Sequence, residues 1–181
     1  MGMLNEKVAI VTGASSGIGR ATARLFAQEG AKVIVTARRR QELDELVAEI
    51  VTAGGVAIAR AGDIKEETHA EALVKLAIRE FGGLDIAFNN AGSLGEMGPA
   101  TEVSPAGWRD TLDTNLTSAF FGSRHQLPAM VERGGGSLIF TSTFVGHTAG
   151  IPGMAAYAAS KAGLIGLTQV LAVEFGSKTS G

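Results

Sequence analysis

Five short apolar runs, each followed by a stretch of helical periodicity, constrain the fold of this chain more than any other feature. Residues 7–12 (KVAIVT) are almost all apolar or β-branched and stop at Gly13, as a central strand buried on both faces does. Ile18, Ala21, Thr22, Leu25 and Phe26 then recur at helical spacing up to Gly30, a C-terminal stop. The alternation returns with a strand over 31–37, a helix marked by Leu43, Leu46, Val47 and Ile50, and a strand over 56–59 running on towards Asp63. A helix marked by Ala70, Leu73, Val74, Ala77, Ile78 and Phe81 leads to a fourth strand over 84–88. After a loop come a long helix over 106–132, a strand over 137–141 and a last helix over 157–175. Pro128 predicts a kink or an early stop near the end of the long helix. Such alternation through short connections makes a doubly wound α/β fold: a parallel sheet, helices on both faces, right-handed crossovers. Nothing in the chain marks a linker or a second domain, so 1–181 reads as one unit.

Composition narrows the chemistry. The chain has no cysteine, which excludes a disulfide scaffold, a zinc–thiolate site, an iron–sulfur cluster and a cysteine nucleophile. Its three histidines, His69, His125 and His147, sit in unrelated segments, so no metal site is expected. A formal charge of −2 gives no general nucleic-acid surface. The polar start and the lack of any long apolar run predict a cytoplasmic protein without a membrane segment. Glycine, at 25 residues, is in excess, and each cluster has to be read for the turn it permits.

Thr12-Gly13-Ala14-Ser15-Ser16-Gly17-Ile18-Gly19 joins the first strand to the first helix. Gly13 permits the sharp turn, Gly17 lets backbone approach a pyrophosphate, and Gly19 allows close helix–sheet packing. The helix N-terminus offers its N–H groups to the phosphates. No Gly-Lys-Ser/Thr follows, which disfavours a nucleoside triphosphatase. The second strand ends at neutral Ala37, where an acid would hold the ribose 2′-hydroxyl of NAD, and Arg38, Arg39 and Arg40 follow at once. A guanidinium suits a 2′-phosphate, so NADP(H) is preferred, with NAD(H) as the alternative; Arg38 is best placed and Arg39 stands beside it. Asp63, with Ile64, lies just past the third strand; it can accept from an adenine amino group or cap the next helix, and both readings stay open.

Tyr157 and Lys161 are four residues apart and share one side of the last helix. A free tyrosine ionises near pH 10, too high for acid–base work at neutral pH. An ammonium beside it favours the phenolate. Tyr157 is the only tyrosine in the chain, and it follows a Gly/Pro-containing loop beyond a strand.

Together with Asn89-Asn90-Ala91-Gly92, Asn115, Ser142-Thr143 and Tyr157-Ala158-Ala159-Ser160-Lys161, the glycine turn resembles the short-chain dehydrogenase/reductase family in order and placement, over essentially the whole chain. The resemblance implies a Rossmann-type fold and an NAD(P)-dependent oxidoreductase that moves hydride between nicotinamide and a carbonyl or secondary alcohol. It implies Tyr157 as the catalytic acid/base. Lys161 would lower its pKa and hold the nicotinamide ribose, and Asn115 would shape its helix and anchor a proton-relay water. Asn89, Ala91 and Gly92 would support the cofactor, and Ser15, Ser16 and Ile18 would contact it. The family's serine thirteen residues before the tyrosine falls on Phe144 here. Matching the turn at Gly146 brings Thr143 to that role; Ser142 is adjacent, and a one-residue bulge would re-aim it. Both are kept, with a preference for Ser142.

The family chain normally continues into further strands and a substrate-covering segment, so this sequence is expected to be C-terminally incomplete and to lack the usual last strands. A dinucleotide-binding remnant with impaired catalysis is the alternative reading. The expected partners are a small carbonyl or alcohol substrate and a second copy of the chain. The copies would pair through helices 106–132 and 157–175, with Leu164, Leu167 and Leu171 as outer apolar surface.

Overall fold

The structure, a computed structural model, describes residues 2–176. Strand β1 (Val8–Thr12) is buried at every position, as its unbroken apolar run requires, and lies at the centre of the sheet. The order is β3 (Val56–Ala59), β2 (Lys32–Thr36), β1, β4 (Ile86–Asn89), β5 (Ser137–Phe140), all parallel. Register aligns Thr12 with Thr36, Val11 with Phe88, and Asn89 with Phe140. The carboxyl ends of four strands therefore meet at one edge.

Helices α1 (Gly17–Gln28) and α2 (Arg40–Thr52) cover one face, where Ala23, Ala27, Leu43, Leu46 and Ile50 pack on Val11, Val33 and Val35. On the other face Leu73, Val74 and Ala77 of α3 (Glu67–Phe81) pack with Ala129 and Met130 on Val8, Ile10 and Ile34. Asp85 gathers the opposite edge: its carboxylate accepts from Val8 N at 2.8 Å and lies 3.5 Å from Lys7 and 3.4 Å from Arg133.

The long helix differs from its expected form. It comprises α4 (Pro105–Leu112), a π-helical turn over Asp113–Thr117, and α5 (Ser118–Glu132). Pro128 does not stop it: α5 runs on to Glu132. Pro128 and Arg124 one turn back both occupy exposed positions on α5.

The last helix, α6 (Ala155–Phe175), starts two residues early and buries Ala156, Ser160, Lys161 and Leu164. Leu164 is thus interior, and the outer apolar residues are Val170 and Val173. A Cβ on Gly163 would come within 2.6 Å of Leu116 Cδ2, so that glycine lets α6 close on the π turn. Contrary to the sequence expectation, α6 is long and apolar enough by length and composition to cross a membrane, although one face of it is the packed wall of the domain.

Candidate active site

At the carboxyl edge the strand ends are tied by side chains. Thr12 Oγ1 accepts from the backbone N–H groups of Asn90 and Ala91, both at 3.0 Å. Asn90 Nδ2 donates to Thr12 O at 3.2 Å, and Thr141 Oγ1 donates to Asn90 Oδ1 at 3.1 Å. Asn90 thus joins β1, β4 and the end of β5. A Cβ on Gly19 would fall 2.4 Å from Gly13 O and 2.8 Å from Asn90 Nδ2, so α1 rests directly on the turn. Gly17 is left-handed (φ 55°) and has nothing within 4 Å of its missing Cβ, which leaves the outer side of the turn open. Ser16 at the N-cap of α1 makes no side-chain capping bond.

These elements wall a groove of about 440 Å³. It begins at Gly13, Ser15 and Ser16, runs past Ala37, Arg38 and Arg39 to Gly62, Asp63 and Ile64, and returns along Ala91 and Gly92. It crosses the sheet where the strand order reverses, between β1 and β4, the place where open α/β sheets take ligands.

The three arginines have separate fates. Arg40 grips both oxygens of Asp44 at 2.8 Å. Arg39 donates to Ser15 Oγ at 3.0 Å and Ser16 Oγ at 3.1 Å and pairs with Glu42. Arg38 is exposed in the groove, and among the described residues its guanidinium has no hydrogen bond or ion pair. Asp63 closes a local turn, its Oδ1 accepting from Lys65 N at 3.0 Å, rather than capping α3, whose N-cap position is Glu66, and it also lines the groove. Lys65 bridges to Asp110 of α4 at 2.7 Å, which raises the pKa of its ammonium.

Lys161 is buried, and its Nζ donates to Thr141 O at 2.7 Å while lying 5.8 Å from the centre of the Tyr157 ring. Burial pushes its pKa below the ordinary lysine value. Tyr157 and Lys161 share a second concavity with Ile18, Gly92, Ser93, Leu94 and Thr141. Asn115, in the π turn, is fully engaged. Its Oδ1 accepts from Ser93 N at 2.8 Å, and its Nδ2 donates to Ser93 O at 2.8 Å and Ser160 Oγ at 3.0 Å. Ser160 Oγ donates in turn to Tyr157 O at 2.7 Å. The Asn115 side chain therefore locks the loop after β4 onto the turn of α6 that carries Tyr157.

Asn89 turns the other way, into a reciprocal amide pair with Gln126 at 2.8 and 3.1 Å. Ser142 is exposed, and Thr143 Oγ1 accepts from Val145 N at 3.4 Å. From this segment it is Thr141 that lines the concavity around Tyr157. The following loop is held by Gly146 (φ 82°), where a Cβ would meet Ala158 O at 2.3 Å. Sequence reading passed over the roles of Thr12, Asn90, Ser93 and Ser160. The available signal was small polar residues inside or beside motifs already noted.

The short chain dehydrogenase family matches this chain over residues 7–179. The chain belongs to that family. Among its relatives is a cyclohexanol dehydrogenase of Acinetobacter sp. (strain SE19), 41% identical over 174 residues, which cover 96% of this chain and 69% of the relative. Another is a 3beta-hydroxysteroid dehydrogenase of Mediterraneibacter gnavus, 37% identical over 178 residues, covering 98% of this chain and 64% of the relative. A solved metagenomic short-chain oxidoreductase in complex with NADP superposes with a TM-score of 0.92 at 37% identity, over 97% of this chain and 79% of that one. A 3-ketoacyl-ACP reductase from Sinorhizobium meliloti 1021 gives 0.91 at 40% identity, over 94% and 68%. The chain thus spans about two thirds of the length of the curated short-chain dehydrogenases it matches. Among the described residues β5 pairs only with β4, and Ile139 on it is 40% exposed.

Proposed function

We propose that this short-chain dehydrogenase is an NADP(H)-dependent oxidoreductase acting on an uncharged carbonyl or secondary alcohol. The observation that carries the reading is the buried Lys161 ammonium beside Tyr157, in a concavity that adjoins the glycine turn through Ile18, Asn90 and Gly92. The groove fits a phosphorylated dinucleotide: Gly17 leaves its turn open, Ser16 makes no side-chain capping bond to α1, and the unpaired Arg38 offers its charge to a 2′-phosphate. Ser15, Ser16 and Arg39, already joined, would line the same end, with Asp63 and Ile64 opposite and Ala91 and Gly92 along the inner wall.

When bound, the nicotinamide supplies or accepts the hydride. The chain handles the proton. Tyr157 donates its hydroxyl proton to the carbonyl oxygen as charge develops there, and takes it back in the oxidative direction. Lys161 steadies the phenolate by its charge and is itself held in place by Thr141 O. Asn115 keeps the Tyr157 turn in register through Ser160. Ser142 or Thr143 supplies a hydroxyl to the developing oxyanion.

A separate concavity at the start of α6, lined by Pro99, Ala100, Ile151, Pro152, Met154 and Ala158, carries no charge. Leu94, Met97 and Phe144 are exposed nearby in sequence, and Glu96 is turned to Ser104. An apolar, uncharged substrate suits this surface, in line with relatives that are a cyclohexanol and a hydroxysteroid dehydrogenase. The protein works as a homo-oligomer in solution, paired through α4–α5 and α6.

Fluorescence titration tests the cofactor assignment. NADPH binds about tenfold tighter than NADH, a difference of about 1.4 kcal/mol, and Arg38→Ala removes most of that margin. Equal affinities in the unaltered protein contradict it.

A further inference from the structure

His69 has no part in the chemistry above, yet it is a buried imidazole, 9% exposed, at the third position of α3. Its Nε2 lies 2.8 Å from the hydroxyl of Thr36, the fully buried last residue of β2. Its other edge presses on Gly62: a Cβ there would fall 2.2 Å from both Cε1 and Nδ1 of the ring. Gly62 N donates to Ala37 O at 3.0 Å, so the segment after β3 is laced to the residue that follows β2. Ala37, Arg38, Gly62 and Asp63 are groove residues. One ring therefore bears on both strand ends that form the far end of the groove.

The ring acts as a neutral spacer. Burial lowers its pKa, the Arg60 charge lowers it further, and Asp63 opposes them. A neutral imidazole offers one donor and one acceptor at fixed separation, which suits a hydroxyl on one side and a close backbone on the other.

We infer that His69 is a positioning residue for the adenosine half of the dinucleotide, setting the spacing between the Ala37–Arg38 and Gly62–Asp63 walls. His69 and Lys161 line one small cavity, but the hydrogen bond and the closest backbone approach of the ring are to Thr36 and Gly62 and none is to Tyr157 or Lys161, so its effect falls on the adenosine half. The inference rests on the dinucleotide reading of the groove.

The test separates the two halves. Binding of NADPH, adenosine 2′,5′-bisphosphate and reduced nicotinamide mononucleotide is titrated on the parent, His69→Ala, His69→Gln and Thr36→Val. The expected pattern is about tenfold weaker binding of NADPH and of the bisphosphate in His69→Ala and Thr36→Val, with the mononucleotide unchanged. His69→Gln, whose amide reaches the Nε2 position, recovers to within about threefold. Equal losses for all three ligands, or no loss in either Thr36→Val or His69→Ala, overturn the role of His69. A parent protein that binds none of the three overturns the dinucleotide reading itself.

Discussion

Asn115 shows how much one side chain decides here. It sits at 2% exposure, and three of its hydrogen bonds join Ser93 on the loop after β4 to Ser160 on α6. Asn115→Ala removes both bonds to the exposed Ser93 and leaves the fully buried hydroxyl of Ser160 without its Nδ2 donor. A loss of about 1–3 kcal/mol of stability is expected from the one buried group left unpaired, read as a shifted urea midpoint at unchanged slope. A loss below about 0.5 kcal/mol would contradict the structural role. The motif made Asn115 visible in the sequence, but its partners were not. Ser160 sits inside the Tyr157–Lys161 motif, yet nothing in that spacing says that its hydroxyl accepts from a residue 45 positions away. The arginine run illustrates the same limit. Which of three consecutive guanidiniums stays unpaired depends on where Asp44, Glu42, Ser15 and Ser16 come to lie.

At the scale of elements, periodicity carried most of the reading. All five strands stand where the apolar runs placed them, because a buried parallel strand leaves few polar positions. Residues 106–132 read as one helix because a π turn adds a residue without breaking apolar periodicity for more than a few positions. Pro128 is carried inside α5 at an exposed position, and the helix runs on to Glu132, the end that the apolar spacing predicts. Leu164 looked external because α6 is apolar nearly all round. Its inner face is chosen by Gly163 meeting Leu116, a tertiary contact that no local pattern announces.

For the whole molecule, alternation specified a doubly wound sheet, whereas the order β3-β2-β1-β4-β5 had to come from packing. The outer face of the helical layer leaves Phe120 on α5 and Val170 and Val173 on α6 at 46%, 54% and 83% exposure. A two-fold pairing of α5 and α6 would cover such residues with the same patch on both copies. Sedimentation velocity is expected to show a discrete dimer that Val170→Glu weakens, and a monomer persisting at high micromolar concentration would contradict that assembly. In the proposed reaction Tyr157, steadied by Lys161, moves the proton in a carbonyl reduction driven by a nicotinamide. NADPH oxidation with cyclohexanone, followed by absorbance in the parent and in Tyr157→Phe, tests it most directly. Turnover is expected in the parent, with at least about a hundredfold loss in Tyr157→Phe and NADPH affinity retained. Near-parental turnover in Tyr157→Phe, or a parent that binds NADPH and reduces no ketone, would contradict it.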